Sequence, residues 1–266
     1  MKRKGLTAIF LIASLLLLRG ANRQQLTLLL DSLDKQLELR TTYEQNRLHR
    51  INALKSVIQQ QDLSPEQSYG FHKQLIDEYK AYNFDSTMHY IEASAQLASQ
   101  LNRKPYQDQI RICRGLIFVT YGNFLESSDI LYNEIDSLNL DPALFPEYYV
   151  ALQRLAAELA EYSTDPEIKR IYTGRRAYYR SKIMEQTDPQ SDEYLYYLFQ
   201  DAYQTGDLSR ADSLSSMLVF RHKESTHSYA IYAYHRSTVF QNLMEEELQM
   251  EWLARSAMAD IQSAVK

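Results

Sequence analysis

The sequence predicts an all-α protein built from stacked helix pairs, and three observations support this fold class. The chain of 266 residues contains only 7 Gly and 6 Pro, so regular structure has few interruptions. The prolines stand where helices are expected to begin, and turn signals recur about every forty residues. The period-two alternation of apolar and polar residues that is typical of strands does not occur in the sequence.

The first 21 residues have the features of an export signal. A basic start at residues 2–4 precedes a mostly apolar run at residues 5–18, and the small residues at 20–21 suit cleavage. The apolar run is shorter than the about 20 residues that a helix needs to cross a bilayer core. We therefore expect a cleaved signal peptide, while Arg19 beside the cleavage position leaves an uncleaved signal anchor as the alternative.

Residues 22–63 are predicted to form an N-terminal helical cap. Three charged residues, Arg40, Glu44 and Arg47, interrupt the core positions of an otherwise apolar heptad register, so a dry continuous coiled coil is not expected. Two helices that break near residues 41–42 and fold against the first repeat fit the pattern better, since solenoids need capped ends. The apolar positions of this register are Leu26, Leu30, Leu33, Leu37, Ile51, Leu54 and Ile58.

Proline marks the expected helix starts, because it is accepted in the first turn of a helix and excluded from the interior. Residues 64–67 read Ser-Pro-Glu-Gln, which is a capping box with proline at the first helical position, and residues 164–167 follow the same logic. The remaining prolines also precede long stretches with helical apolar spacing: Pro105, Pro142, Pro146 and Pro189.

Residues 64–266 are predicted to contain about five helix pairs. Turn signals near residues 83, 122, 165, 206 and 242 are separated by 39, 43, 41 and 36 residues. One helix pair cannot bury its apolar face alone, so successive pairs stack into a tetratricopeptide-like solenoid. The expected first helices are 66–82, 106–121, 146–162, 190–205 and 226–241, and the expected second helices are 86–101, 124–138, 166–186, 208–222 and 244–265.

Charge and cysteine content exclude some classes of partner. Removal of residues 1–21 takes away four basic and no acidic groups, which leaves 25 basic against 34 acidic residues. This negative charge disfavours nucleic acid, so we expect no nucleic-acid contact by this segment. The single cysteine, Cys113, cannot form an internal disulfide and is expected to be a small buried residue.

The patterns of known catalytic and cofactor sites are missing from the sequence. The glycines are scattered singly, which does not suit a phosphate-binding loop, and neither a zinc-binding HExxH pair nor a Gly-x-Ser-x-Gly elbow occurs. His222 and His227 are too weak a pattern to predict a metal site, and Glu245, Glu246 and Glu247 suit a solvated helix start. We therefore predict no enzymatic activity, no cofactor and no metal.

The candidate binding residues are aromatic and basic side chains on the first helices, which line the concave groove of a helix-pair solenoid. Tyrosine rings can cover the apolar faces of sugars or peptide side chains, and arginine offers planar donors to carboxylates. Packing between helices is the competing explanation for each tyrosine. The predicted groove residues are Arg114, Tyr149, Arg154, Tyr196, Tyr197, Tyr232, His235 and Arg236.

Several segments carry a family resemblance: Leu33-Asp34, Arg40, Tyr43, Arg50-Ile51, Leu54, residues 78–82 (EYKAY), Asp85-Ser86, Tyr90-Ile91, residues 253–257 (LARSA), Asp260-Ile261 and Ala264. With the segments up to Ile91 the chain resembles the N-terminal half of Bacteroidetes tetratricopeptide-repeat regulators that are themselves similar to the starch-utilisation regulator, and the segments from residue 253 onward are similar to a later repeat of that family. The resemblance implies a periplasmic sensor region, which in complete members precedes further repeats, a membrane-spanning helix, a coiled coil and a cytoplasmic DNA-binding part. We therefore expect a fragment of such a regulator or a shortened relative, and we carry over no ligand-contact residue.

Together these patterns favour a non-enzymatic periplasmic sensor or binding module that holds a peptide, a protein or an oligosaccharide in its groove. Attachment to the inner membrane is expected only if the signal anchor is retained or a further segment supplies it. The alternative function is an envelope scaffold for protein–protein interactions with no small ligand. A hydrolase of envelope polymers is a third class, and it predicts a cluster of carboxyl groups with shifted pKa values in one cleft.

Overall fold

The computed structural model describes residues 24–60 and 62–263, and helices make up most of this part of the chain. The predicted signal peptide at residues 1–21 lies outside the described residues. Within the described part, no helix combines the length and the apolar character needed to span a membrane. The predicted all-α class is confirmed.

Twelve α-helices are described, the first of which covers residues 24–38 (α1). The others are α2 (Arg40–Gln60), α3 (Pro65–Tyr79), α4 (Phe84–Leu101), α5 (Lys104–Thr120), α6 (Phe124–Asp129), α7 (Phe145–Tyr162), α8 (Pro166–Met184), α9 (Asp192–Thr205), α10 (Leu208–Phe220), α11 (His227–Asn242) and α12 (Glu246–Ser263). A π-helical segment, Ile130–Glu134, continues α6, and two short 3-10 turns, Ser137–Asn139 and Pro142–Leu144, precede α7.

The helix pairs predicted from the sequence are present, and most ends agree within three residues. The predicted proline starts are confirmed: Ser64 Oγ accepts a bond from the Gln67 amide, and Gln67 Oε1 accepts one from the Ser64 amide. At α8 the cap is Asp165, whose carboxylate accepts the amides of the second and third helical residues. Gly206, with φ +80°, ends α9 in the left-handed region.

One predicted helix, residues 124–138, ends early. The Leu131 carbonyl accepts a 2.8 Å hydrogen bond from the Tyr148 hydroxyl within the π-helical segment, and helix stops at Glu134. Asp136 and Asp141 then bind backbone amides two residues ahead, which competes with helix continuation. The prediction missed this because apolar residues continue at helical spacing through the break.

The chain forms two compact units. The first unit comprises residues 49–189, and the second joins residues 190–263 to residues 24–48 among the described residues. In the first unit, Ile51 of α2 packs with Leu75 and Tyr79 of α3, and Arg50 pairs with Glu78 at 3.0 Å. The interruption between two helices that was expected near residues 41–42 lies at residue 39, between α1 and α2.

Equivalent positions on successive first helices are joined by hydrogen bonds in the first unit. The Tyr69 hydroxyl donates to Gln109 Oε1 at 3.2 Å, across 40 residues, and the Gln109 amide donates to Glu147 Oε1 at 3.3 Å, across 38 residues. These residues lie on α3, α5 and α7 in turn. The repeat length inferred from turns is therefore also the spacing of a row of side-chain contacts.

The first unit is held together by a close helix contact and a buried ion pair. A Cβ atom built on Gly115 would lie 2.7 Å from Leu131 Cδ2, so α5 and the π-helical segment approach each other as only glycine allows. Asp108 is 1% exposed and pairs with both Lys104 and Arg111. Both cations reach solvent. The charge of the buried Asp108 carboxylate is therefore balanced without the burial of a second charged group.

Candidate functional site

The eight predicted groove residues fall into both compact units. Arg114, Tyr149 and Arg154 belong to the first unit, and Tyr196, Tyr197, Tyr232, His235 and Arg236 belong to the second.

Three predicted residues of the second unit come together: Tyr196 of α9, and Tyr232 and His235 of α11. The Tyr196 hydroxyl lies 2.9 Å from His235 Nε2, and the Tyr196 ring lies 5.9 Å from the Tyr232 ring. All three side chains are half-buried, so each ring is fixed by packing and still reaches solvent. We call these three residues the tyrosine–histidine surface.

Two further rings support this surface, and sequence reasoning did not select them. Phe199 is buried and its ring lies 5.5 Å from His235, while Tyr203 stacks on Phe199 at 5.9 Å. The Tyr203 hydroxyl accepts a 2.7 Å hydrogen bond from Asn242 Nδ2, across 39 residues. Tyr196 and His235 are also 39 residues apart, so the repeat length was the signal that could have paired these positions.

A charged edge borders the surface beside Tyr232. Asp192, at the start of α9, accepts from Arg221 at 2.8 Å and lies 3.1 Å from His222 Nε2. The His222 ring lies 5.0 Å from the Tyr232 ring. Burial, and to a smaller extent the Asp192 carboxylate, raises the pKa of Tyr232 to about 12, so its hydroxyl stays protonated at neutral pH.

The tyrosine–histidine surface therefore combines flat apolar faces with hydroxyl and imidazole groups that can donate and accept hydrogen bonds. This combination suits a sugar ring, which has an apolar face and a polar rim, and it also suits aromatic or proline-rich peptide side chains. It lacks the concentration of charge that a phosphate ligand needs.

Two predicted groove residues of the second unit lie inside the packing. Tyr197 is 5% exposed, because neighbouring side chains of a helix point about 100° apart and Tyr197 lies on the packed side of α9. The Arg236 side chain is 12% exposed, pairs with Asp212 at 3.0 Å and stacks over Trp252 at 4.9 Å. Burial therefore argues against Tyr197 as a groove contact, and the Arg236 guanidinium is already used by Asp212 within the chain.

The predicted residues of the first unit do not form one cluster. Arg154 is paired with Glu158 along α7 at 2.9 Å. Arg114 is exposed, stacks over Phe118 at 5.4 Å, and borders a cavity of about 210 Å³ between α4 and α5 whose lining includes Ile91. Tyr149 lies elsewhere, in a separate group of aromatic rings.

That group contains Tyr132, Tyr149, Tyr172, Arg175 and Tyr179, and we call it the arginine–tyrosine cluster. The Arg175 guanidinium lies 5.6 Å from the Tyr132 ring and 5.2 Å from the Tyr172 ring. Tyr149 stacks on Tyr179 with ring centroids 6.3 Å apart, and burial raises the pKa of Tyr179 above its usual range. Sequence reasoning missed most of this cluster because it searched only the first helices, and three members lie on α8.

Metal-ligand types are dispersed in the part of the chain that the structure describes. No group of three or more His, Cys, Asp and Glu side chains in these residues is arranged to hold a metal ion. His222 lies against Asp192, and His227 Nδ1 lies 3.3 Å from Asp260 Oδ1.

Comparison with known proteins gives one family. The model of a family described as the SusR N-terminal TPR domain matches residues 37–266. No curated protein matches the chain significantly, and no solved structure does so either. The family match covers the whole first unit and the second unit from residue 37 onward, and it includes both groups of aromatic residues.

Proposed function

Since this chain belongs to the family of SusR N-terminal TPR domains, we propose that it is the sensing module of an envelope regulator and that its ligand binds the tyrosine–histidine surface. A TPR-type domain of a SusR-like regulator is a protein-interaction or sensor module. The observation that carries it is the meeting of Tyr196, Tyr232 and His235 from two successive first helices.

The proposed ligand is an oligosaccharide. Rings that are half-buried and held by their neighbours lose little conformational freedom when a sugar stacks on them, which favours binding. Phe199 packs against His235, and Tyr203 stacks on Phe199. The hydroxyl of Tyr232 remains a donor at neutral pH because its pKa is raised to about 12. The name of the family makes starch-derived glucose oligosaccharides the first compounds to test.

We further propose that the module has no catalytic activity. The carboxyl groups whose pKa is shifted in the described part of the chain are separate from one another, and each is shifted downward. Asn139, Arg170 and His227 lower the pKa of Asp136, Glu167 and Asp260 respectively through hydrogen bonds. A general acid in a glycoside hydrolase needs the opposite shift.

The proposed location is the periplasm. The basic and apolar start of the sequence supports export, as does the envelope association that the family suggests. Fractionation of cells, followed by mass determination of the purified chain, tests this proposal. Recovery from the cytoplasm with the first 21 residues retained contradicts it.

Titration calorimetry tests ligand binding directly. The purified protein is mixed with glucose oligosaccharides of increasing length, with other glycans and with peptides. Heat that saturates at one ligand per chain supports a sensor, and a silent panel contradicts it. Tyr196→Phe removes the hydroxyl that meets His235 and keeps the ring, so a modest loss of affinity is expected, while Tyr196→Ala removes both.

Tyr234→Phe is the matched control for these variants. Tyr234 lies on the same helix as His235 and is 52% exposed, but it is outside the tyrosine–histidine surface. Its replacement is expected to leave affinity unchanged. Equal effects of Tyr196→Phe and Tyr234→Phe contradict the assignment of the surface.

A protein scaffold without a small ligand is the second candidate, favoured by the general role of TPR domains in protein interactions. Pull-down from envelope extract distinguishes the two. A stoichiometric partner in the absence of any glycan response supports the scaffold.

A further inference from the structure

Helix α8 has a charge opposite to that of the whole chain. Its 19 residues carry six Lys and Arg residues and a single acid, Glu167, whereas the chain has 29 basic and 34 acidic residues. A basic helix in an acidic protein concentrates positive potential on one element. Neither the tyrosine–histidine surface nor the groove residues of the second unit involve this helix.

The helix is also unusually exposed for part of a helix-pair repeat. Only Arg180 and Ile183 are buried along its length. Three large apolar side chains reach solvent: Ile168 is 45% exposed, Ile171 42% and Tyr178 55%. Adjacent exposed apolar side chains of this kind indicate an interaction surface.

Apolar and cationic side chains share this face of the helix. From Ile168 through Ile171 and Arg175 to Tyr178 and Lys182, the spacing is three or four residues, so these side chains share one side of the helix. The stripe spans about 21 Å at the rise of an α-helix. That length matches a short peptide segment better than a single small molecule.

Arg175 lies at the centre of the stripe, and two tyrosine rings orient its guanidinium. Its guanidinium lies over the ring of Tyr132 at 5.6 Å and over the ring of Tyr172 at 5.2 Å. No carboxylate among the described residues pairs with Arg175 or with Lys169, whereas Arg170 is paired with Glu167 at 2.7 Å. Stacking orients a guanidinium and leaves its N–H edge to bind a carboxylate through two parallel hydrogen bonds.

We propose that the exposed face of α8 binds an acidic peptide segment of a partner protein, with a Glu or Asp carboxylate on Arg175 and apolar side chains on Ile171 and Tyr178. Charge complementarity selects this occupant. The overall negative charge of the chain opposes a membrane or a nucleic acid, because an extended anionic surface also meets the acidic remainder, while a short peptide meets only α8.

Fluorescence polarisation with a defined probe tests this docking surface. The probe is a labelled peptide of about 14 residues, the length of the α8 stripe, with Glu at every third or fourth position and Leu or Phe between them. Its control carries Gln in place of every Glu. The full chain is expected to bind the acidic probe about tenfold more tightly than the Gln probe, and binding weakens as salt is raised.

Three variants of the full chain locate the contact. Arg175→Gln is expected to weaken binding of the acidic probe about tenfold. Arg175→Lys is expected to weaken it about threefold, because lysine keeps the charge but lacks the planar edge. Arg170→Gln removes one charge from the same helix, but its guanidinium already serves Glu167, so less than about a twofold change is expected.

Equal binding of the Glu and Gln probes overturns the proposal, as do equal effects of Arg175→Gln and Arg170→Gln. Tighter binding to vesicles of anionic lipid than to the peptide, lost in Arg175→Gln, also overturns it in favour of a membrane surface. Circular dichroism of each variant verifies that the helices are retained. The glycan titration depends on other residues, so its failure leaves this result intact.

Discussion

Replacement of Tyr148 by Phe is expected to lower the free energy of unfolding by about 2 kcal/mol. The Tyr148 hydroxyl donates a buried 2.8 Å hydrogen bond to the Leu131 carbonyl of the π-helical segment. The variant keeps the ring in place, so the loss is confined to the bond. The net contribution of a hydrogen bond to folding stability is about 1 kcal/mol, and a buried carbonyl left without its donor costs about 1 kcal/mol more.

Urea denaturation followed by far-UV circular dichroism measures this difference. Tyr149→Phe is the matched control, because Tyr149 is half-buried on the same helix and its hydroxyl makes no hydrogen bond to the described residues. Its effect is expected to stay below about 0.5 kcal/mol. Equal effects of the two variants refute the assigned role of the bond, as does an unchanged midpoint for Tyr148→Phe.

The same site predicts an alkaline dependence of stability. Burial raises the pKa of Tyr148 from 10.0 to about 12. The protonated phenol is therefore favoured by the folded state, and its contribution is complete below pH 10 and is lost as pH rises toward 12. Tyr148→Phe should remove this part of the alkaline decline in the measured free energy of unfolding.

Three substitutions and one labelling experiment test the packing of the first unit. Asp108→Ala is expected to lower the free energy of unfolding by about 2 kcal/mol, measured by thermal denaturation. The loss is smaller than for a fully buried ion pair because the lysine and arginine partners of Asp108 reach solvent. Gly115→Ala is expected to destabilise by about 1 kcal/mol, since its Cβ would lie 2.7 Å from the buried Leu131 side chain. Gly70→Ala, where nothing lies within 4 Å, should instead stabilise by up to about 1 kcal/mol, and the reverse order contradicts the contact. Cys113 is partly buried, and burial raises the pKa of its thiol to about 11, so iodoacetamide should label it at least about tenfold more slowly in the folded chain than in urea; equal rates would refute this protection.

The helix pairs could be predicted because their signals are local. Ser64 and Gln67 cap α3 through atoms three residues apart, and Gly206 ends α9 through its own φ angle. The early end of α6 could not be predicted, since it depends on a hydroxyl from Tyr148, which follows Leu131 by 17 residues. Sequence periodicity does not register a contact of this kind.

The site was only partly predictable, because tyrosine suits a core and a surface equally well. Tyr196 and Tyr197 are adjacent in the sequence, yet only Tyr196 contributes to the tyrosine–histidine surface. Arg236 was selected for its charge, and that charge is used by Asp212 within the chain. Arg175 was missed because it lies on a second helix, and a concave groove is expected to be lined by first helices.

The row of hydrogen bonds between successive first helices bears on how the chain can change in length. Each bond joins residues 38 to 40 positions apart, as with Tyr69 and Gln109 or Gln109 and Glu147. Loss or duplication of one complete helix pair would bring an equivalent residue into the same place, whereas a gap of a few residues inside a first helix would rotate every later side chain off its partner. Members of the family are therefore expected to differ by complete repeats, and shorter insertions should be confined to turns such as those at Gly122 and Gly206.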